Sequence, residues 1–150
     1  MNVYLVHHSE ALSPHIDPQR PLSSAGRAQA EWLADYAKSR QVAPSVIWHS
    51  GKLRARQTGE AFLRTCNPFA TFKLVRGLLP EDPTMWMENA LAMEERDVLA
   101  VGHMPNLPAL ARALGAVDSL PTNGMIAFER RDDGRYIECW RAQPPSLPMP

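Results

Sequence analysis

Short apolar runs alternate with longer amphipathic segments along this chain. Residues 3–6, 46–48 and 98–101 are compact, rich in valine and followed by polar residues, as expected for strands that are buried on both faces. Residues 71–75 form a weaker run of the same kind. This alternation predicts a mostly parallel sheet in which a helix follows each strand.

Amphipathic spacing predicts helices between these runs. Ser23 is expected to cap a helix that ends at about residue 39, and residues 53–65 are expected to form a second helix. The third helix should begin at Pro83, with Asp82 as its cap. Its expected buried face consists of Trp86, Ala90 and Met93.

The last third of the chain predicts one more helix and a hairpin. Pro105 opens a segment with apolar residues at helical spacing, namely Leu107, Leu110, Ala111 and Leu114. Residues 125–128 and 136–140 flank an Asp-Gly turn and are expected to pair as a hairpin. The element order predicts a three-layer α/β domain over residues 1–142, with a mostly parallel central sheet and helices on both faces. Residues 143–150 contain four prolines and are expected to form a disordered tail.

Charge and cysteine usage narrow the class of protein. The 16 basic and 16 acidic residues cancel, whereas general binders of polyanions usually carry a strong positive excess. Cys66 and Cys139 show no pattern typical of disulfides or metal binding. The N-terminal apolar run is too short for a signal peptide, and no stretch approaches the ~20 residues of a membrane span. We expect a soluble, cytoplasmic protein that binds neither nucleic acid nor membrane.

The candidate chemistry lies in polar residues that follow the predicted strands. Ligands of open α/β sheets bind outside the carboxyl ends of the strands. The residues at those positions are His7 and His8, then His49 and Ser50, and then His103. Arg20 and Arg54 lie in or next to loops at the same end. A single histidine at a strand end would be interpreted as a partly exposed polar residue. Here at least four histidines and two arginines are expected to converge at the same end of the sheet.

This combination of residues suits phosphoryl transfer. A guanidinium group can bind two oxygens of a tetrahedral dianion at once. A neutral imidazole can attack phosphorus, and a second histidine can donate a proton. The reaction otherwise needs mainly positioning and charge stabilisation. Because the cations already supply that charge, we expect no metal and no cofactor.

Four segments resemble motifs of the histidine phosphatase superfamily, in the order of that family. Val6-His7-His8-Ser9-Glu10-Ala11 resembles its Arg-His-Gly signature, and residues 20–30 resemble the segment that follows it. Residues 50–58 are similar to its Ser-Pro-Leu-x-Arg-Ala-x-Gln-Thr stretch. Residues 101–107 resemble its second-histidine motif as found in the SixA-like phosphohistidine phosphatases. The resemblance covers about residues 1–128 and implies a phosphoglycerate mutase-like fold.

The resemblance also implies a role for each matching residue. His8 would be the nucleophile and form a phosphohistidine intermediate. Arg20 and Arg54 would bind the phosphoryl oxygens, with Arg54 counted among the catalytic residues. His103 would stabilise the transferring group or assist proton transfer. Ser50 would add a hydroxyl to the phosphate pocket, although a role in the turn is an equal alternative.

Two residues depart from the family signature. His7 stands in place of the arginine before the nucleophile, and Ser9 in place of the glycine after it. Histidine is charged only in part near neutral pH, so we expect His7 to bind phosphate more weakly, with an affinity that rises as the pH falls toward 6. Ser9 would make a backbone angle that only glycine tolerates costly. A weakened or inactive domain that binds phosphate or phosphoprotein is therefore an alternative function.

The reaction of a phosphate ester also needs an acid that protonates the leaving group. Larger members of the family use a carboxylate between the two histidine motifs, and Glu81 is the candidate here. No long insertion between Thr58 and Val98 forms a lid, so the open site should accept a phosphohistidine on a protein or a small phosphorylated metabolite. A mutase is disfavoured, because it must shield its intermediate from water.

A metal site is the remaining alternative. Its ligands would be His7, His8, His49 and His103, with Glu10 as a further candidate. Adjacent residues at a strand end generally point in opposite directions, so His7 and His8 are poorly placed to share one ion. The sequence therefore favours a phosphatase that uses no metal.

Overall fold

The computed structural model describes residues 1–146 and builds them from six strands and four helices. The strands are β1 (Asn2–His7), β2 (Val46–His49), β3 (Thr71–Leu74), β4 (Val98–Gly102), β5 (Met125–Arg130) and β6 (Tyr136–Ala142). The helices are α1 (Ser24–Ser39), α2 (Leu53–Cys66), α3 (Thr84–Met93) and α4 (Asn106–Ala113).

All six strands form one sheet in the order β3-β2-β4-β1-β5-β6. The first four in this order are parallel, and β5 and β6 are antiparallel additions at one side. The predicted parallel sheet and terminal hairpin are thus confirmed. Because β1 and β4 are neighbours, the residues that follow them meet near the centre of one sheet edge.

Helices cover both faces of the sheet. Val3 and Leu5 of β1 pack in the core cluster that contains residues of α3 and α4, whereas Tyr4 and Val6 pack in the cluster that contains residues of α1 and α2. Successive side chains of a strand point to opposite faces, so a strand covered on both sides is apolar at every position. The three-layer α/β architecture is confirmed.

Helix boundaries agree closely with the sequence pattern, except at the start of α3. Ser23 caps α1, since its Oγ accepts the N–H of Gly26 at 3.0 Å. The expectation that Asp82 caps α3 is wrong, because the N-cap residue is Pro83. The Asp82 carboxylate instead accepts the backbone N–H groups of Gly77 and Leu79, at 3.1 and 3.0 Å, and stabilises the preceding turn.

The predicted buried face of α3 is wrong at two of its three positions, because only Ala90 packs against the core. Trp86 and Met93 are 41% and 86% exposed, whereas Met87 and Leu91 are fully buried. The sequence of α3 is apolar at most positions, so its periodicity does not specify which face packs on the sheet. Packing in the tertiary structure makes that choice.

The end of the described chain is held by one side-chain contact. The side-chain amide nitrogen of Gln143, Nε2, donates to the carbonyl oxygen of Thr122 at 2.9 Å. Residues 143–146 form no helix or strand, and the rest of the predicted tail, residues 147–150, lies outside the described residues. Among residues 1–146, no helix has both the length and the apolar character needed to cross a membrane.

Candidate active site

Three histidines converge at the carboxyl ends of β1 and β4. The ring centroids of His7 and His8 are 4.5 Å apart, and those of His8 and His103 are 5.1 Å apart. The pairing of β1 with β4 places His7 opposite Gly102, directly before His103. The sheet register therefore brings together residues that are about two-thirds of the chain apart in sequence.

His49 does not join this cluster, which corrects the expectation that at least four histidines converge. Its ring packs against Phe72 with the centroids 4.8 Å apart, and its Nδ1 accepts the N–H of Gly51 at 3.0 Å. Burial is the main cause of its lowered pKa, and the charged residues that act on it are Arg56 and Glu60. His49 thus stabilises the turn between β2 and α2.

A hydrogen bond to the backbone of the next residue orients the ring of His8. Its Nδ1–H donates to the carbonyl oxygen of Ser9 at 2.7 Å, because a carbonyl can only accept. The neutral ring then carries its lone pair on Nε2. Burial lowers the pKa of His8 to about 4, and the positive charges of Arg54 and Arg20 act in the same direction, so this lone pair is available at neutral pH.

His103 is buried and paired with Ser50. Its Nε2 lies 2.5 Å from the hydroxyl oxygen of Ser50, which also accepts the backbone N–H of Lys52 at 3.3 Å. Nδ1 of His103 is buried without a partner among residues 1–146. An unpaired buried N–H is rarer than an unpaired acceptor, so we assign the proton to Nε2, donating to Ser50. The hydroxyl hydrogen of Ser50 is then free for an acceptor in the site.

Electrostatics keep His103 neutral as well. Burial is the main cause of its lowered pKa, which is about 3, and the charges on His8, Arg54, His7 and Lys52 contribute. Among the residues that the structure describes, the groups that act on this histidine are positive or neutral. The site is therefore a cluster of neutral imidazoles beside permanent cations, which suits an anionic ligand.

Arg54 lies in the first turn of α2 with its side chain partly buried. Its Nε is enclosed and has no hydrogen-bond partner within the described chain. Burial lowers the pKa of Arg54, and the charge of Arg20 adds to this effect, so the two guanidinium groups lie near each other. Two like charges held together in this way are stabilised when an anion binds between them.

Arg20 reaches the site from a strained loop. Its backbone has a φ of 51°, in the left-handed region that bulky side chains rarely adopt. Its Nε donates to the carbonyl oxygen of Leu12 at 2.9 Å, which fixes the guanidinium and leaves both terminal nitrogens for a ligand. Such strain costs roughly 1–3 kcal/mol and is typical of functional sites.

Hydrogen bonds from motif residues hold the loop after β1 in place. Thr58 on α2 accepts the N–H of Ser9 at 3.0 Å and donates to the carbonyl oxygen of Arg54 at 2.8 Å. Gln29 on α1 accepts the N–H of Glu10 at 2.9 Å. A Cβ at Gly26 would overlap the carbonyl oxygen of Glu10, so only glycine lets α1 approach this loop. These positions of the sequence motifs thus hold the loop that follows His8.

Ser9 fits the loop without backbone strain. It is not among the residues with positive φ, so the concern that serine cannot adopt a glycine-only angle does not apply. Its side chain is fully buried, and its hydroxyl oxygen has no partner among residues 1–146. Serine is therefore compatible with the backbone conformation of this loop.

His7 differs more from its expected role. Its Nδ1 accepts the backbone N–H of Asn123 at 2.8 Å, and burial lowers its pKa to about 4, with smaller contributions from the charges on His8 and Arg54. The imidazolium form expected near pH 6 is therefore not the form present there. Sequence reasoning missed Asn123, for which the Asn-Gly pair before β5 was the available signal.

Within residues 1–146, no carboxylate is among the charged groups that act on the three clustered histidines. Glu81 is exposed in the loop before α3. That loop does contact the start of α4, since the side-chain amide of Asn106 donates to the carbonyl oxygen of Asp82 at 2.8 Å. Glu81 as the acid remains a prediction that rests on loop position alone.

The candidate site lies at the carboxyl ends of the parallel strands. A cavity of about 820 Å³ lies at the other end of the sheet, bordered by residues that include Met1, Arg130 and Tyr136. None of the histidines or arginines of the candidate site lines it. Within residues 1–146, no group of three or more histidine, cysteine, aspartate or glutamate residues is arranged to hold a metal ion.

Acidification should destabilise the protein, because the three histidines are buried in their neutral form. Their pKa values are about 4 for His7 and His8 and about 3 for His103, below the ordinary 6.5 of an unfolded chain. Between about pH 6.5 and 4 the unfolded chain therefore binds more protons, and stability falls as pH falls. At about 1.4 kcal/mol per pKa unit, the loss should reach several kcal/mol.

Urea unfolding at pH 7.5 and pH 5 measures this loss. His103→Gln should reduce the difference between the two values, whereas His15→Gln, at an exposed histidine, should not. Equal free energies of unfolding at both pH values would contradict the burial of neutral imidazoles.

The fold and the site together define an α/β protein of the phosphoglycerate mutase-like class, with one histidine after β1 and a second after β4. Residues 3–78 match the model of the histidine phosphatase superfamily (branch 1). The chain belongs to that superfamily. The matched segment contains His8, Arg20 and Arg54.

Solved structures support a SixA-like assignment. The protein histidine phosphatase SixA complexed with tungstate has a TM-score of 0.84 at 23% identity, over 96% of this chain and 97% of that chain. The putative phosphohistidine phosphatase SixA from Agrobacterium tumefaciens has a TM-score of 0.79 at 27% identity, over 95% and 97%. A phosphoglycerate mutase from Plasmodium falciparum shares the fold, with a TM-score of 0.71 at 16% identity over 99% and 94%. No curated protein has a significantly similar sequence.

Proposed function

We propose that this chain is a phosphatase that removes the phosphoryl group of phosphohistidine on a protein, through a phosphohistidine intermediate on His8. A small phosphoester is the second substrate class that the open rim would admit. The observation that carries the proposal is the hydrogen bond from Nδ1–H of His8 to the carbonyl oxygen of Ser9, at 2.7 Å. It directs an unprotonated Nε2 to a site that also holds Arg20 and Arg54.

The first step transfers the phosphoryl group to His8. Nε2 of His8 forms a bond to phosphorus while the bond from phosphorus to the leaving group breaks. Arg20 and Arg54 bind the phosphoryl oxygens, and the hydroxyl of Ser50, which accepts a hydrogen bond from Nε2–H of His103, donates one to them. In the second step, water attacks phosphorus, the bond to Nε2 breaks, and the protons of the water leave with orthophosphate.

The charges at the site favour phosphohistidine over an ordinary ester. When the second ring nitrogen of a phosphohistidine is protonated, its imidazole leaves as a neutral group and needs no acid. An alkoxide leaving group does need an acid. In the described part of the chain no carboxylate acts on the three clustered histidines, and His103 is neutral. The same argument makes Glu81 dispensable for a phosphohistidine substrate.

A substrate panel tests the proposal. Phosphate release should be fastest from a phosphohistidine peptide, slower from sugar phosphates and nucleotides, and lost for every substrate in His8→Ala. Release that is unchanged in His8→Ala would overturn it. Tungstate binding without turnover on any member of the panel would instead support the phosphate-binding alternative.

The pH profile should reflect the low pKa of His8. Since protonation of Nε2 removes the nucleophile, kcat/KM should stay level from about pH 8 to 5.5, after correction for titration of the substrate, and fall as pH approaches about 4. Initial rates at substrate concentrations well below KM give this profile. A fall centred near pH 6.5 would mean that His8 titrates as an ordinary exposed histidine.

Chelation should leave the rate unchanged, because arginines supply the charge that a metal would bring. Rates before and after extensive dialysis against a strong chelator test this expectation. A loss that one particular divalent ion restores would favour the metal-site interpretation instead.

A further inference from the structure

Asn123 connects the loop before β5 to both histidines of the first motif. Its backbone N–H donates to Nδ1 of His7, and its side-chain Nδ2 donates to the carbonyl oxygen of His8, both at 2.8 Å. The backbone N–H of His7 in turn donates to the carbonyl oxygen of Gly124 at 2.9 Å. Asn123 has a φ of 56°, a left-handed conformation that asparagine adopts more readily than most residues.

These contacts determine the protonation state of His7. A nitrogen that accepts a hydrogen bond cannot carry a proton, so the neutral ring of His7 carries its proton on Nε2. Protonating Nδ1 would place two N–H groups against each other. The backbone N–H of Asn123 cannot titrate, so this constraint holds at every pH at which the loop keeps its structure.

The ring of His7 lies beside that of His8 at the candidate site. Nε2 of His7 has no hydrogen-bond partner among residues 1–146, and the ring lies 4.5 Å from that of His8, measured between centroids. The charged or titratable groups that act on His7 are His8 from the same loop and Arg54 from α2. His103, directly after β4, is in turn affected by His7. No acidic group in this set favours the imidazolium form.

We propose that His7 binds the phosphoryl group as a neutral donor, through Nε2–H, and that the backbone of Asn123 is the positioning element that selects this tautomer. The inference rests on the proposed function of the site. It means that this chain has replaced a permanent charge of the family signature by a single directional hydrogen bond. Binding of an anion should then not depend on protonation of His7.

The tautomer can be observed directly by ¹⁵N NMR of the imidazole rings, with the His7→Gln variant used to assign the His7 signals. Between about pH 5.5 and 8, His7 should show the Nε2–H tautomer, both alone and with bound tungstate. Asn123→Gly keeps the backbone donor and the left-handed conformation, so the same signals are expected. An imidazolium or an Nδ1–H tautomer of His7 in this range would overturn the proposal.

Tungstate affinity tests the donor itself. In His7→Gln the side-chain oxygen can accept from Asn123 while the amide donates to the anion, so most of the affinity should remain. In His7→Phe neither bond can form, and affinity should fall by about 10-fold or more. Circular dichroism and thermal unfolding of each variant show that it is folded. Equal affinity of His7→Phe and the parent protein would exclude His7 from the anion site.

Proton uptake separates the two charge states. Calorimetric titration with tungstate at about pH 7.5, in two buffers of different ionisation enthalpy, should show close to zero protons bound per anion. Uptake of about one proton that disappears in His7→Gln would mean that imidazolium forms on binding. These measurements need no turnover, so a failed phosphatase assay would leave the inference about His7 standing. An active enzyme with a charged His7 would overturn the inference about His7 and leave the proposed function standing.

Discussion

His8→Ala should abolish the phosphoenzyme and lower kcat/KM by at least about 10³-fold, because no other group at the site can replace the nucleophile. His103 is the nearest alternative, but its Nε2 is paired with Ser50 and its Nδ1 is buried. Brief exposure to a substrate with a labelled phosphoryl group, followed by a quench in base and peptide mapping, should locate the label on His8. The bond should break in acid and survive in base, as a phosphoramidate does.

The matched control is His15→Ala, which removes an exposed histidine from the turn that follows the nucleophile loop. Its labelling and its kcat/KM should equal those of the parent protein. Label on Ser9 or Ser50, or a phosphoenzyme in His8→Ala, would show that the nucleophile has been assigned to the wrong residue.

Arg54→Ala should lower kcat/KM and weaken tungstate binding by about 10²-fold or more. The side chain is partly buried beside His8, and its Nε has no hydrogen-bond partner within residues 1–146, so we expect an anion to be its charge-assisted partner. Arg54→Lys keeps the charge but loses the paired donors, and should recover only part of the loss. Arg20→Ala should show a loss in the same direction. Steady-state kinetics and tungstate titration measure these effects.

Arg56→Ala is the control on the same helix. The Arg56 side chain is 54% exposed and forms a surface ion pair with Glu60 at 3.5 Å, so its removal should leave both measurements unchanged. Equal tungstate affinity and turnover in Arg54→Ala and the parent protein would exclude Arg54 from the site. Equal losses in Arg54→Ala and Arg56→Ala would indicate a general electrostatic effect rather than a specific contact.

The fold was predictable because each central strand carries its own signature. The residues of β1, β2 and β4 are almost all buried, so apolar runs mark them without reference to the rest of the chain. Ser23 likewise caps α1 through a contact three residues away. The orientation of α3 was not predictable, since an almost uniformly apolar helix takes its buried face from the surface it packs on.

The sequence alone also determined which residues could carry the chemistry. Parallel strands bring their carboxyl ends to one edge of the sheet, so the order of the elements predicted that His8 and His103 would meet there. The same rule included His49, wrongly, because a strand end does not specify the direction of its side chain. Contact with Phe72 and with the N–H of Gly51 turned His49 away from the cluster.

Only the tertiary structure decided how these residues are protonated. The donor to His7 belongs to a residue 116 positions away, and the partner of His103 is 53 positions away. Burial by surrounding layers then holds all three clustered histidines neutral. Local sequence determines which side chains reach the edge of the sheet, whereas their charge depends on desolvation and on hydrogen bonds that form only when distant segments pack together.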